Sequence, residues 1–169
     1  MKRLLLLRHG KSDWNAAYGA DRDRPLSARG ESAAAAIGKF VRRTNQVPNL
    51  VFSSPAVRAH TTAEIAKSAG GWDSPIRVFD DLYGGGAGSA LSVIQSAPDE
   101  ADSLLVAGHE PTTSQLVRLL TEAHADVKTA TLIAIDLPIG SWNSASPGYG
   151  TLAWMINPKL LTEGSLDLG

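Results

Sequence analysis

The sequence predicts an α/β protein: an α/β/α sandwich of three layers around a sheet of about six short strands. Three observations carry this expectation. Short apolar runs alternate with helix-length segments along the chain. The first run, Leu4–Leu7, is uninterrupted, as in a strand covered on both faces. And 43% apolar with 20% charged residues is globular composition. The 169 residues suit one domain, read as spanning residues 1–169.

The elements follow in order. Leu4–Leu7 ends at Arg8-His9-Gly10, where polar residues open a loop. Ser27 is placed to cap a helix whose start Gly30 weakens, so the regular part is expected over Ser32–Arg43. Pro48-Asn49 breaks the chain before a second strand, Leu50–Phe52, which stops at Ser53-Ser54-Pro55. Val57–Ala69 reads as a helix ended by Gly70-Gly71. Ile76–Phe79 is a third strand on its β-branched residues, and Gly84–Gly88 is expected to be loop before a short helix, Leu91–Ala97. Ser103–Ala107 is a fourth strand ending at Gly108-His109. Pro111–Ala123 reads as a helix with Pro111 in its first turn. Thr131–Leu137 and Thr151–Ile156 complete the sheet, joined by a long polar connection around Pro138–Ser144 and Pro147-Gly148.

Composition excludes several classes of function. Sixteen basic and 17 acidic residues leave a net charge of −1, with no electrostatic footprint for nucleic acid or an anionic membrane, so any anion site must be local. The absence of cysteine removes disulfides, thiolate metal sites and cysteine nucleophiles. Met1-Lys2-Arg3 before four leucines superficially resembles a leader, but its apolar run falls short of the about 7–15 residues required. No stretch approaches the roughly 20 apolar residues of a membrane span, so a soluble, cytoplasmic protein is expected. The four histidines are scattered and no metal-ligand spacing occurs, so neither metal nor cofactor is implied. Gly84–Gly88 lacks the spacing of a phosphate loop or a dinucleotide fold.

Open α/β sheets place ligands beyond the carboxyl ends of their strands. Three polar clusters occupy that position: Arg8-His9-Gly10, Ser53-Ser54-Pro55 leading to Arg58, and Gly108-His109-Glu110. If those strands are neighbours, two arginines and two histidines meet. Guanidinium groups match a tetrahedral dianion with paired donors and stay charged at any working pH. A histidine between two arginines loses proton affinity, and a neutral imidazole can attack phosphorus. Phosphoryl transfer asks little more of a protein than position and charge.

At these residues the chain resembles the histidine phosphatase superfamily, which includes phosphoglycerate mutases. Leu-Leu-Arg8-His9-Gly10-Lys11-Ser12 followed by Asn15 is similar to that family's opening motif. Arg24-Pro25-Leu26-Ser27-Ala28-Arg29-Gly30 resembles its second block, Ser53–Ala63 its third, and Val106–Pro111 its fourth. The resemblance implies a mostly parallel mixed sheet, a phosphoglycerate mutase-like fold. It implies His9 as the phosphorylated nucleophile, with Arg8, Arg58 and His109 completing the phosphate pocket and Ser12 and Asn15 able to line it. The short chain and the Asp80–Tyr83 segment look most like the small SixA branch, whose members act on phosphohistidine in signalling proteins.

One departure stands out. Relatives that release an alcohol carry a glutamate after the third strand as general acid, where this chain offers Asp80, Asp81 and Tyr83. Phosphohistidine relaxes that demand, because imidazole leaves more readily than an alkoxide. Asp80 and Asp81 therefore read first as a solvated pair or helix cap, and second as candidate acids. Arg22 and Arg24 read equally as a substrate rim or a solvated loop, and Trp14 is near enough in sequence to shape the site. Two rivals remain to the expected phosphohistidine substrate on a partner protein: a small phosphomonoester, and a catalytically silent module that binds phosphorylated ligands. A shallow pocket is expected, since no large insertion covers it. The oligomeric state is not legible in the sequence.

Overall fold

The computed structural model describes residues 1–162. Six strands form one mixed sheet: β1 (Lys2–Arg8), β2 (Leu50–Ser53), β3 (Ile76–Val78), β4 (Ser103–Gly108), β5 (Leu132–Leu137) and β6 (Thr151–Ile156). Their spatial order is β3-β2-β4-β1-β5-β6. β3, β2, β4 and β1 run parallel; β5 is antiparallel to both β1 and β6. The helices are α1 (Ala28–Arg43), α2 (Val57–Gly70), α3 (Gly86–Gln95), α4 (Thr112–Thr121) and the short α5 (Lys159–Thr162).

The leucine run explains the layering. Leu5 and Leu7 face a core shared with Ile37 and Val41 of α1 and Ala63 and Ala66 of α2. Leu4 and Leu6 face the opposite core, with Val93 and Ile94 of α3 and Leu116, Val117 and Leu120 of α4. Because successive side chains of a strand point to opposite faces, only an unbroken apolar run can serve two cores at once. The expected three layers and mostly parallel sheet are what the chain forms.

Several boundaries differ from expectation, each for a physical reason. α1 begins at Ala28, four residues before Ser32: the Ser27 hydroxyl accepts from the Gly30 N–H at 3.2 Å and caps the helix there. Gly30 does not weaken this start; it lets two backbones meet. A Cβ at Gly10 would stand 2.7 Å from the Gly30 carbonyl oxygen, and one at Gly30 would collide with the Lys11 backbone. The glycine-rich segment is not loop throughout, because α3 starts at Gly86 and ends at Gln95 rather than running over Leu91–Ala97. Ala90, Val93 and Ile94 bury against the sheet, and that packing overrides glycine's poor helix propensity. Pro111 is the residue before α4 rather than part of its first turn, and the Glu110 carboxylate accepts from the Ser114 N–H at 2.8 Å. The polar connection after β5 contains a turn, Trp142–Ser144, that buries its first residue: the Trp142 indole enters the core and donates to the Ala101 carbonyl at 2.7 Å.

Candidate active site

The strand order turns three distant clusters into neighbours. β4 lies between β2 and β1, with Arg8 opposite Gly108 and Ser53 opposite Ala107. Parallel strands end at one edge, so the residues after each are delivered together. His9 follows β1 and His109 follows β4; their ring centroids are 5.2 Å apart. Arg58 is the second residue of α2, a short step beyond the end of β2. A site shared by these clusters requires this adjacency, and the register supplies it.

His9 is buried at the floor of the site. Its Nδ1 lies 2.6 Å from the Gly10 carbonyl oxygen. A carbonyl only accepts, so Nδ1 carries the proton and Nε2 keeps its lone pair. Burial, aided by the positive charges of Arg58, Arg8 and Arg24, lowers the His9 pKa to about 4, although the Gly10 hydrogen bond pulls the other way. The loop is fixed from both sides: the Gly10 N–H donates to Thr62 Oγ1 at 3.0 Å, and the His9 N–H donates to the Gly108 carbonyl at 3.0 Å.

His109 is held by a different device. Its Nε2 is 2.7 Å from Ser54 Oγ, which also accepts from the Ala56 N–H at 3.2 Å. The Ser54 hydroxyl has its one O–H free to donate to Nε2, an arrangement that leaves the His109 proton on Nδ1. Burial first, then the His9 and Arg58 charges, lowers the His109 pKa to about 3. Nδ1 is buried without a hydrogen-bond partner, as are the Nε atoms of Arg8, Arg24 and Arg58. Four orphaned donors at one place are costly unless acceptors join them, and the oxygens of a phosphoryl group can each accept more than one hydrogen bond.

The arginines are anchored by groups outside that set. Arg8 Nη1 donates to the Val127 carbonyl at 2.8 Å. Arg58 gives both Nη groups to Asp21: one to its carbonyl at 2.8 Å, the other to Oδ2 at 3.0 Å. Arg24 reaches Asp21 Oδ1 at 3.1 Å, and the Tyr83 hydroxyl donates to Oδ2 at 2.7 Å. The Tyr83 hydrogen bond, then Arg58, holds the Asp21 carboxyl below its ordinary range, while Asp21 raises the Tyr83 hydroxyl. Tyr83 in turn packs edge-on against His109, with centroids 5.6 Å apart. Asp21 thus ties two arginines and a tyrosine into one frame, a role the sequence argument missed. Its only sequence signal is its place three residues before Arg24.

The remaining candidates separate clearly. Ser12 is buried and lines the cleft. Arg24 is buried in the cleft wall, with its guanidinium 3.5 Å from the centroid of the Trp14 ring, which also lines the wall. Arg22 is exposed and outside that wall. Asn15 is exposed in the loop after β1, its N–H donating to Asp13, and is not part of the wall. Asp80 and Asp81 sit exposed in a turn after β3 and do not face the cleft; only Tyr83 of that segment does. The cleft has a volume of about 1210 Å³, and the segments before β5 and after β6 supply part of its wall through Lys128, Thr129 and Asn157–Lys159. Among the described residues, no group of three or more His, Cys, Asp or Glu could hold a metal ion, and no helix is long and apolar enough to cross a membrane.

Comparison with known proteins identifies the family of the chain. A family model described as the histidine phosphatase superfamily (branch 1) matches residues 4–88. An uncharacterized protein of Mycobacterium tuberculosis is 33% identical over 163 residues, covering 90% of this chain and all of its own length. A 2,3-bisphosphoglycerate-dependent phosphoglycerate mutase of Bifidobacterium longum is 41% identical over 69 residues, which are 40% of this chain and 28% of the mutase. The structure of the protein histidine phosphatase SixA complexed with tungstate superposes with a TM-score of 0.79 at 26% identity, covering 92% of this chain and 97% of that one. The chain belongs to the histidine phosphatase superfamily.

Proposed function

We propose that the protein is a metal-independent phosphatase that removes the phosphoryl group from phosphohistidine in a partner protein through a phosphorylated His9. The observation that carries this reading is the His9 tautomer: the Gly10 carbonyl holds the Nδ1 proton, so an unprotonated Nε2 remains beside Arg8, Arg58 and His109. A silent binding module would need the arginines but not a nucleophile kept in this state.

The reaction has two steps. In the first, the Nε2 lone pair forms a bond to phosphorus as the bond from phosphorus to the substrate nitrogen breaks; that nitrogen leaves with the electron pair and takes a proton. In the second, water attacks the phosphorus of phospho-His9, the bond to Nε2 breaks, and inorganic phosphate departs. Arg8 and Arg58 balance charge on the equatorial oxygens, and the His109 Nδ1–H donates to one of them. An imidazole leaving group makes small demands on a general acid, in keeping with the exposed positions of Asp80 and Asp81 outside the cleft. The SixA neighbour is named a protein histidine phosphatase and supports this substrate class.

The likeness to a phosphoglycerate mutase favours a second reading, hydrolysis of a small phosphomonoester. One experiment addresses both. Wild-type and His9→Ala protein are incubated with a phosphohistidine protein and with a panel of phosphomonoesters, measuring phosphate release and acid-labile label on the enzyme. The proposal expects label on wild type only, with faster turnover of phosphohistidine. Faster turnover of a monoester would transfer the assignment to the second reading; tight binding with neither label nor phosphate would point to a silent module.

A further inference from the structure

We propose that the outer part of the cleft, formed by Lys11, Trp14, Lys128 and Lys159, is a docking surface for acidic polypeptide flanking the phosphohistidine. This rests on the phosphatase reading above and specifies the partner that reading leaves open.

The first observation is charge. The chain as a whole is nearly neutral, at −1. Yet the cleft wall carries Lys11, Arg29, Lys128 and Lys159 beyond the three arginines near the histidines, together seven of the chain's sixteen basic residues. Glu110 is the one acidic residue in that wall, and its carboxylate already caps α4. A single phosphoryl group has no use for so many cations. Such a concentration focuses the field and attracts a ligand with several negative charges.

The second observation is where these cations come from. Lys11 follows β1, Lys128 precedes β5, and Lys159 opens α5 just after β6. Three separate segments therefore place ammonium groups around one opening. Among the described residues, the ammonium groups of Lys11 and Lys159 make no hydrogen bond or ion pair. Lys128 meets Asp126 at 2.9 Å, but both side chains are largely exposed, and such a pair yields readily to a better partner.

Size and surface favour a polypeptide over a compact polyanion. The cleft, about 1210 Å³, exceeds the roughly 300–1,000 Å³ of small-molecule pockets. Trp14 is 68% exposed on its wall and kept in place by the Arg24 guanidinium, so it offers an apolar platform to a chain lying across the opening.

The test measures kcat/KM of the full-length protein on three substrates: free phosphohistidine, a phosphohistidine peptide with acidic flanks, and the same peptide with neutral flanks. The enzymes compared are wild type, the Lys11→Glu/Lys128→Glu/Lys159→Glu triple variant, and the milder variant with glutamine at all three positions. Wild type is expected to favour the acidic peptide over the neutral one by about tenfold, and charge reversal to abolish that preference. Turnover of free phosphohistidine reports separately on folding and on the catalytic reading. Equal losses on all three substrates, or an acidic preference that survives charge reversal, would overturn the docking surface alone. A small polyanionic phosphate ester turned over faster than either peptide would replace the polypeptide with a metabolite. If wild type hydrolyses no phosphohistidine substrate at all, the catalytic reading falls and the docking surface falls with it.

Discussion

The two halves of the sheet contribute to the cleft in different ways. The parallel half, β3-β2-β4-β1, sends the ends of three strands to one edge, and from there come His9, Arg58 and His109. The antiparallel half, β5-β6, reaches the same edge with the start of one strand and the end of another, and contributes Lys128 and Lys159. The strands on either side of the boundary, β1 and β5, are both long and largely buried. The difference is one of direction: parallel strands repeat the same strand-to-loop step side by side, so their loops converge on one point. The reversed strand brings a different loop, which widens the opening instead. The inner site is largely buried and keeps donors without protein partners, while the lysines of the outer wall are exposed. In the proposed reaction the first half handles the phosphoryl group and the second meets the rest of the substrate.

That division can be broken by experiment, starting with the largest effect. His9→Ala should lower kcat by ~10⁴ or more, as loss of a nucleophile does, and remove acid-labile label from the protein. Activity within a hundredfold of wild type would take the chemistry away from the end of β1. Arg58→Ala should cost about 10²–10³ in kcat, the usual effect of losing a strong donor to the transition state. A loss confined to KM would instead make Arg58 a ground-state anchor.

The pH profile sharpens the same comparison. His9 must be neutral to attack, and its folded pKa is lowered from 6.5 to about 4. Activity should therefore hold as pH falls through 6.5 and drop only near pH 4, by about tenfold for each further unit. The sign for stability is the same. Below pH 6.5 the unfolded chain binds protons at His9 and His109 that the folded chain refuses, so stability present above 6.5 is lost progressively down to about 4 and 3 respectively. An acid limb of activity near pH 6.5, in a protein still folded there, would show that the buried environment does not control the nucleophile.

Asp21 offers a smaller effect. Asp21→Asn keeps an oxygen for one arginine but removes the charge that holds Arg24 and Arg58 together, and roughly tenfold in kcat/KM should be lost. Vanadate affinity should weaken in parallel, since the same arginines would grip it. Unchanged kinetics would reduce Asp21 to a surface contact. Smallest of all, Met155→Gln on the exposed face of β6 should shift stability by within about 0.5 kcal/mol and leave turnover unaltered. A large effect there would deny that the antiparallel half stands apart from the chemistry.

Much of this was legible in the chain because the relevant signals are local. Leu4–Leu7 announces a strand covered on both faces, and Arg8-His9-Gly10 announces where it stops. The same reading gave Arg58 and His109 as partners, since each follows a strand in the same way. Local signals failed where packing outweighed them. Gly86 and Gly88 carry poor helix propensity, yet they open α3 because Ala90, Val93 and Ile94 have a core to fill. Asp80 and Asp81 lie at a suggestive place in the sequence, but the turn that holds them leaves both exposed, and only Tyr83 reaches the cleft.

The sequence by itself determined the alternation of strands and helices, the two-faced leucine strand, and the identity of the imidazoles and guanidiniums at strand ends. Those follow from side-chain chemistry and from hydrophobic periodicity, which are properties of neighbours along the chain. Only the tertiary structure decided that β4 runs between β1 and β2, that Thr62 and Gly108 hold the loop carrying His9, and that Asp21 meets Arg58 and Tyr83. Those depend on strand order and on approach between residues tens of positions apart, which no local pattern encodes.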